Sequence, residues 1–436
     1  MKSARRQQKY SPYYDAVHYL EALGNMTGGY QKTNLTSHVR PEIFLERMQD
    51  FLDRLGNPEK DFKYIHITGT AGKGSVATLV HTTLVDAGKK AGLFTSPFCV
   101  STLEKIQADK KYIDPLVFSS IVENLKPHID YSILCGRHGA PSYFEMMLAI
   151  ALLYFKKEKC QYVVLEVGLG GRYDATNIIK KPLITAITNI SLDHTQILGR
   201  LRSNIAQDKA GIIKKNSAFF TTEENAKLLK IFKDECNKVG ATYHALPVRS
   251  LNYASRNRLL AGSICMSLGI IQKLEDVHDL PKLPARFETI EQRPRVIIDG
   301  AHNPSKIEST VYNLRQIKYR KLILVLANSA DKDWKSMMKL VAPLAHTIYI
   351  TRFSVPGRQA VDPKLLFKEA CIYRQEQGRV FLFSDPIQAF KTAHKKLTPK
   401  DVLLVTGSFY LAGDIRKLYW SEEDILKNRS SDINHN

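Results

Sequence analysis

Residues 64–75 read Tyr-Ile-His-Ile-Thr-Gly-Thr-Ala-Gly-Lys-Gly-Ser, and the rest of the chain is organised around this stretch. The apolar run 64–67 predicts a buried parallel strand, and apolar residues at helical spacing from Val76 to Leu84 predict a helix that ends at Gly88. Glycines in the intervening loop let backbone amides point inward, and the helix start and Lys73 add positive charge. The sequence therefore predicts a phosphate-binding loop.

The spacing of this loop departs from the strict Walker pattern, G-x4-G-K-[ST]. Ile67 stands five positions before Gly72, and Gly74 separates Lys73 from Ser75. A tight strand-to-helix turn that carries an ordinary surface lysine remains the alternative interpretation. The combination of strand, glycines, lysine and helix favours nucleotide binding.

Composition indicates a globular protein of two or three domains, with 44% hydrophobic and 24% charged residues among 436. No apolar stretch approaches the roughly 20 residues that span a bilayer. The basic start has no apolar segment of the kind found in secretory signals, and we expect it to be a disordered tail. Six cysteines without a C-x-x-C pair argue against a zinc site or a disulfide framework, which predicts a cytoplasmic location.

The formal net charge of +20 requires an anionic partner or a solvated basic surface. The lysines occur as scattered pairs, such as Lys89–Lys90 and Lys214–Lys215, and no zinc-finger, RNA-recognition or basic-zipper signature accompanies them. We therefore expect neither a nucleic-acid nor a membrane partner. A basic surface that also attracts acidic small molecules is the favoured interpretation, and a monomer is the default.

Polar residues follow several predicted strands at the point where each strand ends. Ser96 follows the strand 91–94, Glu166 closes the strand 162–166, and His194 follows the strand 183–190. Alternating strands and helices predict a doubly wound, mostly parallel α/β sheet, in which ligands collect at the carboxyl ends of strands. Each residue alone also fits a turn, a surface carboxylate or a loop histidine. Together they predict a Mg²⁺ site beside a triphosphate.

The strand–helix alternation restarts beyond a proline-bearing stretch at 282–286, which predicts a second, smaller Rossmann-like α/β domain. Its predicted strands are 295–298, 322–326, 347–351, 380–383 and 402–406. Asn303 and Pro304 have the residue types of a helix N-cap and first helical position. The predicted division is residues 1–284, residues 285–420, and a polar, disordered tail at 421–436. Residues 98–113 are predicted to form an irregular loop.

With these residues in place, the chain resembles the folylpolyglutamate synthases and dihydrofolate synthases of the Mur-ligase superfamily. The matching motifs run in family order over roughly residues 40–415. They are Gly69–Ser75, Thr95-Ser-Pro97, Tyr143-Phe-Glu145, Leu165–Arg172, Asp174–Asn177, Leu192-Asp-His194, Asp208–Ile213, Asp299–Pro304, Asp331-Lys-Asp333 and Thr406-Gly-Ser408.

The resemblance implies roles for individual positions. ATP would be contacted by Gly69, Thr70, Gly72, Lys73, Gly74, Ser75, Asn257, Arg286 and Asp299. Two Mg²⁺ ions would be held by Ser96, Glu166, His194 and a carbamylated Lys209, with catalytic roles for Lys73, His194 and Lys209. The folate or dihydropteroate pocket would be lined by Ser142, Tyr143, Phe144, Glu145, Tyr173, Asp174 and Ala175. L-glutamate would meet His302 and Ser408.

The implied activity is an ATP-dependent amide ligase that adds L-glutamate to a folate or dihydropteroate carboxylate through an acyl phosphate. Two alternatives remain open. Mur-type ligases of peptidoglycan synthesis carry Lys-Thr-[Thr or Ser] where this chain has Lys73-Gly-Ser75, and a nucleotide-binding module without catalysis is a second possibility. The chain departs from the family pattern at Ala71, Phe98-Cys99, Lys105 and Ala285, which bears on substrate range.

Overall fold

The computed structural model describes residues 9–26, 40–277, 283–355, 358–376 and 378–432. Contacts group the chain into an N-terminal unit, Met1–Phe98 with Thr102–Pro281, and a C-terminal unit, Cys99–Ser101 with Lys282–Asn436. The predicted domain boundary after residue 284 falls near this division. Most of the predicted N-terminal tail lies outside the described residues. No described helix is both long and apolar enough to cross a membrane.

The described part of the N-terminal unit contains an eight-stranded sheet with the order β4-β3-β2-β5-β1-β6-β7-β8. The strands are β1 (Lys63–Thr68), β2 (Ala91–Phe94), β3 (Ile106–Ala108), β4 (Lys111–Tyr112), β5 (Tyr162–Glu166), β6 (Ile184–Ile187), β7 (Ala218–Thr221) and β8 (Thr242–Ala245). Every neighbouring pair from β2 to β8 is parallel, and the pairs β2–β3 and β3–β4 are antiparallel. Strand β1 lies between β5 and β6, so the ends of these three strands meet at one edge.

Helices connect and cover this sheet. They are α1 (Ser11–Met26), α2 (Ile43–Arg54), α3 (Lys73–Asp86), α4 (Pro115–Leu134), α5 (Tyr143–Lys157), α6 (Thr195–Leu198), α7 (Arg202–Ala210), α8 (Ala226–Val239) and α9 (Tyr253–Ser267). Apolar residues of β1 and α3, among them Ile65, Ile67 and Val80, form one buried cluster together with residues of α9. Their burial is the main force that holds α3, and with it the loop before it, against the sheet.

The described part of the C-terminal unit contains a six-stranded sheet with the order β13-β12-β11-β14-β10-β9. The strands are β9 (Glu288–Gln292), β10 (Arg295–Ile298), β11 (Leu322–Leu326), β12 (Thr347–Ile350), β13 (Arg379–Leu382) and β14 (Val402–Thr406). The helices are α10 (Pro304–Arg315), α11 (Trp334–Val341), α12 (Pro363–Tyr373), α13 (Pro386–His394), α14 (Phe409–Arg416) and α15 (Glu422–Asn428). Only β9 runs antiparallel to its neighbour among these strands. The prediction of two mostly parallel α/β domains is confirmed.

Three local predictions differ from the structure. Residues 98–113 are not irregular, because they contain a 3-10 turn (Thr102–Lys105) and the antiparallel strands β3 and β4. Strands β7, β8 and β9 are also absent from the predicted set. All three are short. Strand β8 is largely exposed and β9 alternates buried and partly exposed residues, so these two lack the continuous apolar run of a central strand, whereas β7 is buried but has only three apolar residues in sequence.

The tail after Trp420 is not disordered over its described part. Helix α15 begins with a capping box at Ser421, and Arg416 reaches both the following segment and strand β9. The Arg416 guanidinium is fully buried, donates to both carboxylate oxygens of Glu288 at 2.9–3.1 Å, and donates to the carbonyl of Ser431. One buried ion pair therefore holds the segment after α14 in place.

Candidate nucleotide, metal and acceptor site

The predicted phosphate-binding loop lies between the end of β1 and the start of α3. Gly72 is the N-cap of α3 and has φ of +84°, a backbone conformation that favours glycine. A Cβ at Gly72 would lie 2.6 Å from Oδ1 of Asn257. The structure thus brings together two of the predicted ATP contacts, although they are 185 positions apart in the sequence.

The loop is held by the segment that follows β6. Oδ1 of Asn189 accepts from the amide of Ala71 at 2.9 Å, and the Asn189 carbonyl accepts from the amide of Thr70 at 2.9 Å. The Thr188 hydroxyl donates to the Ala71 carbonyl at 2.6 Å. Thr70 also exchanges hydrogen bonds with the backbone of Ser191, at 3.0–3.1 Å. These contacts fix the loop conformation even though Ala71 itself has no polar side chain.

Lys73 stands at the first helical position, and its Nζ donates to the Gly69 carbonyl at 3.1 Å. The side chain therefore folds back over the loop that it follows. Thr70 is buried, whereas Gly74 and Ser75 lie partly exposed in the first turn of α3. Backbone amides at a helix start and a lysine ammonium together form an arrangement that suits a phosphate group.

Glu166 closes β5, directly beside the end of β1, and its side chain is buried. Its Oε2 accepts from the amide of Ser96 at 3.0 Å and lies 3.1 Å from the position that a Cβ on Gly74 would occupy. The structure therefore joins two predicted metal ligands to the first turn after the phosphate loop. A carboxylate and a hydroxyl supply oxygen ligands of the kind that Mg²⁺ prefers.

Lys209, near the end of α7, is buried beside Thr68, the last residue of β1. Its Nζ lies 3.4 Å from both Oγ1 of Thr68 and the carbonyl of Gly170. Burial, reinforced by the positive charge of Lys73, lowers the pKa of Lys209 from 10.5 to about 7. This environment favours the neutral amine over the ammonium.

His194 forms the N-cap of the short helix α6 and has φ of +50°. Its side chain is 31% exposed, and its Nε2 lies 3.8 Å from Oδ1 of Asp193. Among the described residues, no group of three or more His, Cys, Asp or Glu side chains is arranged to hold a metal. The predicted ligand set includes a serine and a modified lysine, and a role for His194 in it stays a prediction.

The predicted acceptor residues at the start of α5 have structural partners. Ser142 and Glu145 form a capping box, in which the Ser142 amide donates to Oε2 of Glu145 at 2.6 Å. Both oxygens of Glu145 also accept from the Arg47 guanidinium at 2.8–2.9 Å. Arg47, a buried residue of α2, is missing from the predicted site, and only its position on a buried helix face could have revealed it.

The two aromatic residues that follow Ser142 are partly exposed. The Tyr143 hydroxyl lies 2.7 Å from Oγ1 of Thr102, and Nζ of Lys105 lies 4.5 Å from the centre of the Tyr143 ring. Phe144 packs against Phe94, with ring centroids 5.6 Å apart. Aromatic surface at the ends of β2 and β5 is suited to stacking against a flat heterocycle.

The third predicted acceptor segment follows β5. Oδ1 of Asp174 accepts from the amide and hydroxyl of Thr176 at 3.0 and 2.6 Å, and Oδ2 accepts from the amide of Leu169 at 2.9 Å. Burial raises the pKa of Asp174, and these hydrogen bonds oppose the shift. Ala175 is buried beside it, and the Tyr173 hydroxyl lies 3.3 Å from Oε1 of Glu42. Asp174 therefore shapes the turn that presents Tyr173.

In the C-terminal unit, the predicted residues meet at the ends of the neighbouring strands β10 and β14. Asp299 accepts from the Thr310 hydroxyl at 2.7 Å and from the Ala301 amide at 3.0 Å, and burial raises its pKa from 3.8 to about 6. Arg286 lies over the ring of Phe409 at 4.2 Å, and His302 contacts the same ring edge-on at 5.9 Å.

Ser408 and His302 have further contacts within this unit. Ser408 is 1% exposed, and its hydroxyl caps α14 by accepting from the Tyr410 amide at 3.1 Å. Nδ1 of His302 lies 2.8 Å from the Gly300 carbonyl, and its Nε2 lies 3.0 Å from Nζ of Lys306. Glutamate contacts by these two residues stay predictions.

Comparisons with known proteins place both units in known protein families. The Mur ligase middle domain matches residues 67–246, and the glutamate ligase domain of Mur ligases matches residues 285–409. The dihydrofolate synthase/folylpolyglutamate synthase of Bacillus subtilis is 30% identical over 413 residues, which cover 86% of this chain and 94% of that protein.

Two further proteins extend the comparison. The folylpolyglutamate synthase of Lacticaseibacillus casei is 28% identical, over 85% of this chain and 93% of that protein. The structure of Mycobacterium tuberculosis folylpolyglutamate synthase complexed with ADP superposes with a TM-score of 0.82 at 25% identity, covering 93% of this chain and 98% of that one. The similarity thus extends over both units.

Proposed function

Because the chain belongs to the folylpolyglutamate and dihydrofolate synthase family of Mur ligases, we propose that it joins L-glutamate to a folate or dihydropteroate carboxylate at the expense of ATP. The observation that carries the proposal is the edge formed by the ends of β1, β5 and β6. There a glycine loop, Lys73, Glu166 and Lys209 meet within the N-terminal unit.

The chemistry requires activation, since a carboxylate is a poor electrophile at neutral pH. An oxygen of the acceptor carboxylate attacks the γ-phosphorus of ATP, the bond to the β,γ-bridging oxygen breaks, and ADP leaves. The α-amine of L-glutamate then attacks the acyl carbon, the C–O bond to phosphate breaks, and the amine loses a proton. Lys73 and the loop amides would stabilise the charge that develops on the transferred phosphoryl group.

Glu166 and Ser96 would hold Mg²⁺ at this edge, together with His194. Their oxygens fit the preference of that ion, and Glu166 is fixed by the Ser96 amide 3.0 Å away. The bound ion would offset the negative charge of the phosphates. The loop itself is positioned by protein contacts. Asn189 and Thr188 keep its backbone amides oriented, and Asn257 lies beside it at Gly72.

Lys209 would act as a carbamate. Its neutral amine attacks CO₂, the nitrogen loses one proton, and the product is a carboxylate-like group in place of an ammonium. Two features support this role, namely its burial and a pKa lowered to about 7. A second cation close to Lys73 would repel Mg²⁺, whereas an anion at the same position adds oxygen ligands.

The acceptor would bind against the aromatic residues at the start of α5. Tyr143 and Phe144 are partly exposed residues, and the Ser142–Glu145 capping box and Arg47 hold the helix start that carries them. Tyr173 would contribute from the turn that Asp174 stabilises. In the C-terminal unit, Arg286 and Asp299 are proposed to contact ATP, and His302 is proposed to bind L-glutamate.

The test is phosphate release from Mg-ATP and L-glutamate, with dihydropteroate in one reaction and tetrahydrofolate in another. We expect release in at least one, and release in both would make the enzyme bifunctional. A reaction without L-glutamate serves as the control for uncoupled hydrolysis. ATP binding without release in either reaction would contradict the proposed function and favour a nucleotide-binding module.

A further inference from the structure

His66 is a buried histidine in the middle of β1 that the proposed reaction does not use. Side chains alternate between the two faces of a strand, and its neighbours Ile65 and Ile67 pack in the cluster with α3 and α9. The His66 side chain therefore lies on the opposite face of the sheet. There its Nε2 lies 2.8 Å from Oγ1 of Thr176, a fully buried residue of the 3-10 turn Ala175–Ile178. This contact connects the strand with the proposed acceptor segment.

The other hydrogen bond of Thr176 sets the direction of this contact. Its hydroxyl donates to Oδ1 of Asp174 at 2.6 Å, and a hydroxyl has only one proton to donate. The Thr176 oxygen must therefore accept from His66, which makes Nε2 the protonated nitrogen of the imidazole. The result is a chain of two hydrogen bonds, in which His66 donates to Thr176 and Thr176 donates to Asp174.

The surroundings of His66 keep its imidazole neutral. Burial, reinforced by the positive charge of Lys214, lowers the pKa of His66 from 6.5 to about 3. When Nε2 holds the proton of a neutral imidazole, Nδ1 is an acceptor. This Nδ1 is buried and has no hydrogen-bond partner within the described part of the chain. Because a buried acceptor without a partner destabilises a fold, the Nε2 donor is the feature that favours a histidine here.

Asp174, at the far end of the hydrogen-bond chain, lies beside the aromatic surface proposed for the acceptor. Its Oδ2 accepts from the Leu169 amide at 2.9 Å, and its Oδ1 also accepts from the Thr176 amide at 3.0 Å. A Cβ on Gly168 would lie 3.2 Å from Oδ2 of Asp174 and 2.7 Å from the ring of Phe144. The carboxylate and the aromatic ring thus border the same glycine.

Strand β1 also carries the phosphate loop, which begins at Gly69, just after the strand ends at Thr68. The hydrogen bonds from His66 therefore connect the strand that holds this loop with the carboxylate beside the acceptor surface. Phosphoryl transfer requires the acceptor oxygen to approach the γ-phosphorus in line, and small displacements of bound reactants slow such reactions strongly. The reaction thus depends on a fixed distance between the loop and the acceptor.

We propose that His66 is a positioning residue, which acts through Thr176 and Asp174 to hold the bound acceptor at a fixed place relative to the phosphate loop. It contacts neither ATP nor the acceptor. The inference rests on the proposed function and adds to it a residue that is absent from the predicted site. Its signature is a loss of turnover with little change in the binding of ATP.

The experiment measures phosphate release, with the KM for each substrate, in His66→Leu, His66→Gln and Thr176→Val. We expect His66→Leu and Thr176→Val each to lower kcat about tenfold and to leave the KM for ATP within about twofold, since each removes one orienting hydrogen bond. The double variant H66L/T176V should be no slower than either single variant, because the two residues act as one chain. His66→Gln, whose amide can donate in place of Nε2, should recover most of the turnover.

His81 of α3 provides a matched control. It is 1% exposed, its Nε2 lies 3.2 Å from the Ala91 carbonyl, and its Nδ1 likewise has no hydrogen-bond partner within the described residues. Its contact leads to the backbone of β2 instead of an acceptor residue. His81→Leu should therefore lower the melting temperature about as much as His66→Leu and leave kcat near the wild-type value.

Nitrogen NMR spectra of isotope-labelled wild-type protein test the hydrogen-bond chain without any substrate, and they should show His66 protonated at Nε2. Protonation at Nδ1, an equal loss of kcat in His81→Leu, or additive losses in the double variant would overturn the inference. If the wild type releases no phosphate with either acceptor, the proposed function fails, and the role of His66 fails with it. If the wild type is active and both His66→Leu and Thr176→Val keep a normal kcat, only the role of His66 is wrong.

Discussion

The two units place their candidate residues at equivalent points of similar sheets but use them differently. The N-terminal edge, formed by Gly69–Ser75, Glu166 and Lys209, has a backbone loop supported from outside by Asn189. The C-terminal edge is formed by Asp299–His302 and Ser408. Its polar side chains form hydrogen bonds within their own unit, since Asp299 accepts from the Thr310 hydroxyl and Ser408 caps α14.

The difference shows what a doubly wound sheet needs in order to bind and react with a ligand at the ends of its strands. Topology brings strand ends together in both units, but it does not decide what their polar groups do. In the N-terminal unit, Thr188 and Asn189 form hydrogen bonds with the backbone of the phosphate loop. Lys73 is not needed to hold the loop and can therefore bind a phosphate group. We therefore expect substitutions at the N-terminal edge to impair activity first, and substitutions at the C-terminal edge to alter stability first.

The largest expected effect is that of Lys73→Ala, which removes the cation above the phosphate loop. Phosphate release should fall about a thousandfold or more, because the developing charge loses its stabilisation. The melting temperature should change by no more than a few degrees, since within the described residues the Lys73 ammonium makes only one hydrogen bond, to the Gly69 carbonyl. Lys89→Ala, at an exposed position after α3, is the control. Near-normal turnover of the Lys73 variant would refute the loop assignment.

The second prediction concerns Asp299, whose pKa is about 6 in the folded protein because of burial. This value is higher than in the unfolded chain, so the folded state binds the extra proton and loses stability as pH rises between those values. Relative to Asp299→Asn, the wild type should lose about 2–3 kcal/mol between about pH 4 and about pH 7. Urea unfolding of both proteins across this range measures it, and parallel curves would show that the carboxyl titrates normally.

A smaller effect is expected for Asn189→Ala, which leaves the Ala71 amide without its acceptor. The KM for ATP should rise about five- to tenfold while kcat changes less, because one partly buried hydrogen bond that orients the loop is lost. Asn225→Ala removes the N-cap of α8 and is the control for a purely structural loss. If both variants change the KM for ATP equally, Asn189 has no specific role in the loop.

The smallest effect is expected for Ser408→Ala, which should lower the free energy of unfolding by about 1 kcal/mol through loss of the α14 cap. The hydroxyl accepts from the Tyr410 amide and still has its own proton to donate, so the KM for L-glutamate of the same variant tests the predicted glutamate contact separately. Ser408→Asn, which can still cap, should recover the stability. A large KM increase in both variants would assign the residue to glutamate binding instead.

The sequence predicted the α/β class, the central strands and the phosphate loop because these features depend on local pattern. Continuous apolar runs mark central strands, and glycines next to a lysine mark the loop. It did not predict Asn189 or Arg47, because their roles arise from partners 118 and 98 positions away. Strand β8 was not predicted because it lacks an apolar run: three of its four residues, Thr242, Tyr243 and His244, are polar and at least partly exposed.

The order in which such partners appear during synthesis has a consequence for Arg416. Its guanidinium needs Glu288, which precedes it by 128 positions, and the Ser431 carbonyl, which follows it by 15. A ribosome releases the chain from the N-terminus, so the first partner is present long before the second. The C-terminal unit therefore completes this pair of Arg416 contacts only after residue 431 has emerged, and we expect fusions or truncations near that residue to interfere with this step of its folding.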